Sequence, residues 1–460
     1  MGRTVRDART AVETATPRAR LVSGLAGRAL VVGAACACLG TVWALSGSQA
    51  SAQSGFYKQI NLTADKGPAA NTDPNLVNPW GIAYASAPVK GPFWTSDNGT
   101  GRSTLYDGSG APVPLVVTVP PPKNSPSGKK STPTGIVFNG TSDFTVGSVP
   151  MSASFIFSTE DGTISGWNPG TLTNAALVVD KSKSGAVYKG LALASNSSGN
   201  FLFATNFSAG TIDVFDKSFA AKTLPGAFVD PNLPAGFAPF GIQLVGDKLF
   251  VSYALQDSAK RADIAGPGNG YVDVFDTKGS LVRRFASRGT LNSPWGITLA
   301  PGKFGDFSND VLIGNFGDGR INAFNPTTGA FVGQLRDQKG NAISIPGLWA
   351  LIFGNGGQGG DPNTLYFTAG PGGGQHGLLG SLRFQTGEAP ASTPTTAASG
   401  SSTAGSASGS STAGSPSGAA GRTLPATGRG GPWPQELAIV MVALAAGLLL
   451  LGRAARLRRD

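Results

Sequence analysis

The 460-residue chain has a formal net charge of +10, which by itself would suggest a polyanion-binding surface. The charge sits at the ends: residues 1–52 hold six basic and two acidic side chains, residues 428–460 five and two, leaving 25 basic against 22 acidic between them. That near-balance excludes nucleic acid as a partner inferred from charge, and the placement of both cysteines, Cys36 and Cys38, inside an N-terminal apolar run leaves no thiol for a disulfide or a zinc–sulfur site in the rest of the chain.

Arg3, Arg6, Arg9, Arg18, Arg20 and Arg28 precede the apolar run Ala29–Leu45, and Ala50-Ser51-Ala52 follows it. Small residues at Ala50 and Ala52 are what a signal peptidase reads, so residues 1–52 are expected to be a secretory signal peptide cleaved before Gln53. A retained membrane anchor is the alternative. It is disfavoured by an apolar run shorter than the roughly 20 residues that a spanning helix needs.

From residue 56 a repeat governs the chain. The anchors Pro79-Trp80-Gly81-Ile82, Pro133-Thr134-Gly135-Ile136, Tyr188-Lys189-Gly190-Leu191, Pro239-Phe240-Gly241-Ile242, Pro294-Trp295-Gly296-Ile297 and Leu348-Trp349-Ala350-Leu351 place their third positions 54, 55, 51, 55 and 54 residues apart. A period that steady over six copies predicts a radial repeat. The fifth copy illustrates the unit, with expected strands Trp295–Ala300, Asp310–Asn315, Gly319–Asn325 and Ala330–Leu335 separated by Gly, Asn and Asp turns. The sixth copy stops at Phe384, one strand short, while Phe56–Leu62 is strand-like and has no partner of its own. The economical solution is an all-β, six-bladed β-propeller over residues 53–387 whose N-terminal strand completes the sixth blade and removes the open edges. The aromatic residues that recur at the second anchor position are expected to serve packing between blades rather than a sugar-stacking platform.

Residues 388–423 are almost wholly Ser, Thr, Ala, Gly and Pro, a composition that predicts a disordered linker. Leu424-Pro425-Ala426-Thr427-Gly428, an apolar stretch over 437–452 and a tail with Arg453, Arg456, Arg458 and Arg459 complete the chain. This order resembles the LPxTG sorting signal of Gram-positive surface proteins. The resemblance implies a sortase cut between Thr427 and Gly428, attachment to peptidoglycan, and membrane residence only before processing. An ordinary C-terminal anchor with a chance LPATG is the alternative.

The repeats themselves are similar to six-bladed propellers of the NHL type. They resemble in particular a family of secreted bacterial propellers with signatures here reading Asn61-Leu62-Thr63-Ala64-Asp65, Asp73 to Ile82, Phe324 to Phe331 and Gly370 to Gly380. This likeness spans about residues 56–385 and implies fold, not activity.

Candidate chemistry lies in the loops after the second strands. Asp97 and Asn98, with the chain's one histidine, His376, in a glycine-rich loop, are candidate binding residues. Glu160, Asn206 and Asn315 are candidate ligands for Ca²⁺ or another divalent cation, with plain turn chemistry as the alternative. The insertion 256–269 reads as a solvated loop. Two functions follow: a wall-anchored propeller that binds a protein or glycan ligand without catalysis, or a metal-dependent hydrolase of the gluconolactonase-like type.

Overall fold

The computed structural model describes residues 55–387, and the expected signal peptide, linker and sorting signal lie outside those residues. Six sheets form the ring: five are antiparallel four-stranded meanders, the sixth has five strands because the N-terminal segment joins it, and the innermost strands touch in the sequence of a closed ring, the sixth against the first. In the fifth blade the strands are Pro294–Leu299, Val311–Asn315, Ile321–Phe324 and Phe331–Gln334, within two residues of expectation at each end.

The ring closes as the unpaired N-terminal strand requires. Phe56–Ala64 runs antiparallel to Leu378–Gln385 as the outer strand of the sixth blade, with Tyr57 opposite Phe384. Asn71–Thr72 then adds a short parallel pairing to it. Tyr57 packs among Phe304, Phe307 and Phe384 and donates its hydroxyl to the Phe304 carbonyl, so closure also ties the sixth blade to the fifth. A hairpin of Thr145–Val146 and Met151–Ser152 inside the second blade has no counterpart in the other copies.

The anchor motif is a β-bulge. In all six blades the register against the second strand slips at the anchor, between Pro79 and Ile82, Pro133 and Ile136, Tyr188 and Leu191, Pro239 and Ile242, Pro294 and Gly296, and Leu348 and Leu351. A bulge leaves backbone groups outside the ladder and re-aims a side chain. A hydroxyl on the second strand takes up the stranded groups. Thr205 accepts from the Gly190 amide (2.7 Å) and donates to the Phe240 carbonyl of the next blade (2.8 Å). Ser252 does the same for Gly241 and Pro294, and Thr368 for Ala350 and Trp80. Each hydroxyl thus joins two neighbouring inner strands.

The glycine of the anchor is set by contact distance. A methyl group on Gly241 would collide with the Trp295 carbonyl, and one on Gly296 with the Trp349 carbonyl. Side-chain clusters between successive sheets fill the remaining space, for example Ala83, Trp94, Phe155 and Trp167 between the first two blades.

Two substitutions test this joint. Gly241→Ala is expected to lose about 1–3 kcal/mol of unfolding free energy through overpacking. Thr368→Val, which strands one buried donor and one buried acceptor, should cost a similar 1–3 kcal/mol or so. Both are read by denaturant titration, and wild-type stability in either would refute the joint's role.

Candidate functional site at the axial mouth

The residues re-aimed by the six bulges are Trp80, Thr134, Lys189, Phe240, Trp295 and Trp349, and all but Thr134, which bonds Ser158 and the Tyr188 carbonyl, meet across the ring. Trp80 of the first blade stacks on Trp349 of the sixth at 3.5 Å between centroids and meets Trp295 of the fifth edge-on at 6.3 Å. Phe240 of the fourth blade lies 6.1 Å from Trp349. Trp295 donates its indole N–H to the Lys189 carbonyl of the third blade. Contacts between blades that are not neighbours arise only at the axis, so these side chains plug the centre of the ring. The expectation that these aromatics pack between blades is met, and the packing extends across the axis because the bulge turns them inward.

Lys189 is the exception in an otherwise mostly aromatic column. Its side chain is 4 % exposed, and its ammonium lies 5.0 Å from the Trp80 ring centre and 5.6 Å from that of Phe207. Its carboxylate partner is Glu160, whose Oε1 accepts from Nζ at 2.5 Å. The two rings offer the ammonium cation–π contacts in place of water. The ion pair continues as an arc around the mouth. Asn98 donates to Glu160 Oε2 (3.0 Å), Asn78 donates to Asn98 Oδ1 (3.3 Å), and Trp349 donates its indole N–H to Asn78 Oδ1 (3.0 Å). Asn78, Asn98 and Glu160 are all partly exposed. On the far side Phe316, also partly exposed, stacks on Trp349 at 4.0 Å.

The other expected site residues are placed elsewhere. Asn206 accepts from the Val187 amide and donates to Asp213; Asn315 accepts from the Asn292 amide and donates to the Thr290 carbonyl. Both amides hold connectors between blades, and Glu160 faces an ammonium where a cation ligand would face the ion. No group of three or more His, Cys, Asp or Glu side chains suited to a metal occurs among the described residues. The insertion 256–269 is exposed over much of its length, as expected of a solvated loop, and is pinned by a few bonds. Gln256 bridges Asp263 and bonds the Phe207 carbonyl, and the Gly266 amide donates to Asn292.

His376 pairs with Asp65 (Nδ1 to Oδ2, 3.0 Å), while the Gly377 amide donates to Asp65 Oδ1 (2.9 Å). Burial works against ionisation of Asp65, but the bonds from His376 and Gly377 outweigh it and hold the carboxyl below its ordinary range. Two of the sequence signatures therefore meet in one clamp that fixes the closing strand to the sixth blade.

Asp97 is fully enclosed in the first blade. Thr95 donates to its Oδ1 (2.8 Å), and Thr104 lies 2.7 Å from its Oδ2 and 2.8 Å from the Tyr106 hydroxyl, which donates to Asp73 (2.9 Å). The three contacts of this chain share only two hydroxyl protons, so one of its end carboxyls, Asp97 or Asp73, must carry a third. Burial pushes the Asp97 carboxyl up to about 8, which supplies that proton at neutral pH.

These features define a six-bladed β-propeller with a closed axis and a polar mouth. No family model matches the chain. The chain is 36 % identical over 324 residues to uncharacterized protein R648 of Acanthamoeba polyphaga mimivirus, covering 68 % of this chain and 76 % of that protein. It is 33 % identical over 324 residues to uncharacterized protein L690 of the same virus, covering 82 % of that protein. The chain belongs to the family of these proteins. These relatives are viral, whereas the sequence signatures pointed to a bacterial family. Among solved structures, virginiamycin B lyase from Staphylococcus aureus is similar with 16 % identity, a TM-score of 0.42, and coverage of 72 % of this chain and 99 % of that one. The PQQ-bound aldose sugar dehydrogenase from Streptomyces coelicolor is similar at 15 % identity and a TM-score of 0.41, with the same coverage. Such likeness is one of fold, and no residue role passes from those proteins to this one.

Two outcomes test the site as described. Glu160→Ala strands a buried ammonium and is expected to cost on the order of 3 kcal/mol, most of it regained when Lys189→Met is added. For Asp97, the folded pKa lies above the unfolded one, so folding takes up a proton between roughly pH 4 and 8 and stability falls as pH rises through that window. Asp97→Asn should flatten that part of the stability–pH curve; an unchanged slope would refute the buried proton.

Proposed function

We propose that this protein is a non-catalytic binding propeller, displayed on a cell surface through its C-terminal signal, that receives its ligand at the axial mouth. The observation that carries the reading is the closed axis. The aromatic plug leaves no through-channel at its level, while Asn78, Asn98, Glu160 and Phe316 remain reachable above it. Such a surface offers contact chemistry on a rigid frame, as binding sites on propeller faces require. The display half of the reading rests on the LPATG, apolar stretch and basic tail in that order. The Ser, Thr, Ala and Gly composition of residues 388–423 suits a spacer between the ring and a wall polymer.

Three measurements separate this reading from a metal-dependent hydrolase. In a Gram-positive host, Thr427→Ala is expected to move the protein from the wall fraction to the membrane fraction; unchanged fractionation opposes sortase anchoring. Metal analysis of the purified chain should find no stoichiometric divalent cation, and chelation should leave the melting temperature unchanged. A bound metal with a chelation-dependent shift favours the hydrolase. Capture on glycan and protein arrays should be lost in Asn98→Ala, and capture indifferent to that change places the site elsewhere.

A further inference from the structure

We infer that the axial mouth takes a neutral saccharide unit, stacked on Phe316 and hydrogen-bonded by Asn78, Asn98 and Glu160. This deepens the binding reading above and rests on it. The first argument is a count of hydrogen-bonding capacity. After their mutual bonds, the amide groups of Asn78 and Asn98 each keep one N–H, and each of the two Glu160 oxygens keeps a lone pair. A mixture of spare donors and acceptors on adjacent side chains matches vicinal hydroxyls, each of which both donates and accepts.

The second argument is electrostatic. Lys189 and Glu160 cancel, so the mouth carries no net charge from its central pair. A cationic ligand would meet the ammonium behind Glu160. An anionic ligand would meet Glu160 first, since its side chain is 24 % exposed against 4 % for Lys189. Charged ligands of either sign are thereby disfavoured.

The third argument is the aromatic face. Phe316 rests on Trp349, whose indole N–H holds Asn78, so the ring lies beside the asparagine end of the polar arc. Its inner face is fixed on Trp349 while the ring stays partly exposed. A ring immobilised on one side meets the apolar C–H face of a sugar at little further entropic cost. Phe316 follows Asn315, the last residue of the second strand, which sets it on the same end of the ring as Asn98 and Glu160.

The test is a titration of the full chain with chitotetraose, maltotetraose and mannotetraose, against deacetylated chitotetraose as a cation and tetragalacturonate as an anion. Calorimetry and intrinsic tryptophan fluorescence report binding, since Trp295 and Trp349 line the mouth. At least one neutral tetrasaccharide should bind saturably. Phe316→Ala and Asn98→Ala should each weaken it by about tenfold or more, with melting temperatures near wild type. Tighter binding of either charged oligomer, neutral binding untouched by both variants, or no neutral binding at all would overturn the inference. A protein ligand lost in the same two variants would overturn the saccharide while leaving the binding reading intact. Arrays that capture nothing would overturn both.

Discussion

The fold depends on one local irregularity used six times. A bulge at the second anchor position puts one extra residue into each inner strand, turns that side chain toward the axis, and frees an amide that a hydroxyl from the second strand then holds. The same hydroxyl reaches the next blade, so a device that looks local also sets the spacing of the ring. Three blades depart from it. Gly314 stands in place of the hydroxyl in the fifth, Ser96 in the first makes no such bond, and in the second Ser158 holds the Gly135 amide while Thr134 supplies the bond to the next blade.

Because the bulge delivers one side chain per blade to the axis, the identity of those six residues decides what the centre of the ring is. Four aromatics make it solid. Lys189 makes it electrically structured, since a buried ammonium must be answered, and Glu160 answers it from the neighbouring blade. The remaining bonds of Glu160 and the two asparagines follow from that answer. Of the two departures from an aromatic column, Thr134 bonds locally to the next blade, and polar specificity at the mouth follows from the other, Lys189.

Most of the fold was legible in the sequence. Spacing gave the blade count, the truncated sixth copy gave the closing strand, and turn residues gave strand limits to within two positions in the fifth blade. The site was legible only in part. Asn98 and Glu160, expected as a binding residue and a cation ligand, lie in the arc at the mouth, while Asp97, Asn206 and Asn315 end their second strands with side chains engaged by their own blades and connectors. Lys189 was in plain view within the anchor alignment. Its meaning needed the knowledge that this column meets across the ring, and nothing in linear spacing distinguishes packing beside a blade from packing across an axis. Asp65 and His376 stand 311 residues apart, and only ring closure brings them together.

The central claim is that the bulge residues close the axis, and the stacked pair Trp80–Trp349 is its most direct reporter. Two indoles at 3.5 Å couple their transitions and give an exciton couplet in the far-ultraviolet circular dichroism. The account predicts that Trp80→Phe and Trp349→Phe each abolish the same couplet while Trp295→Phe leaves most of it. Trp94–Trp167 at 4.6 Å contributes a couplet of its own, so the readout is the wild-type-minus-variant difference; a difference that is absent, or that the two substitutions do not share, would contradict a closed axis.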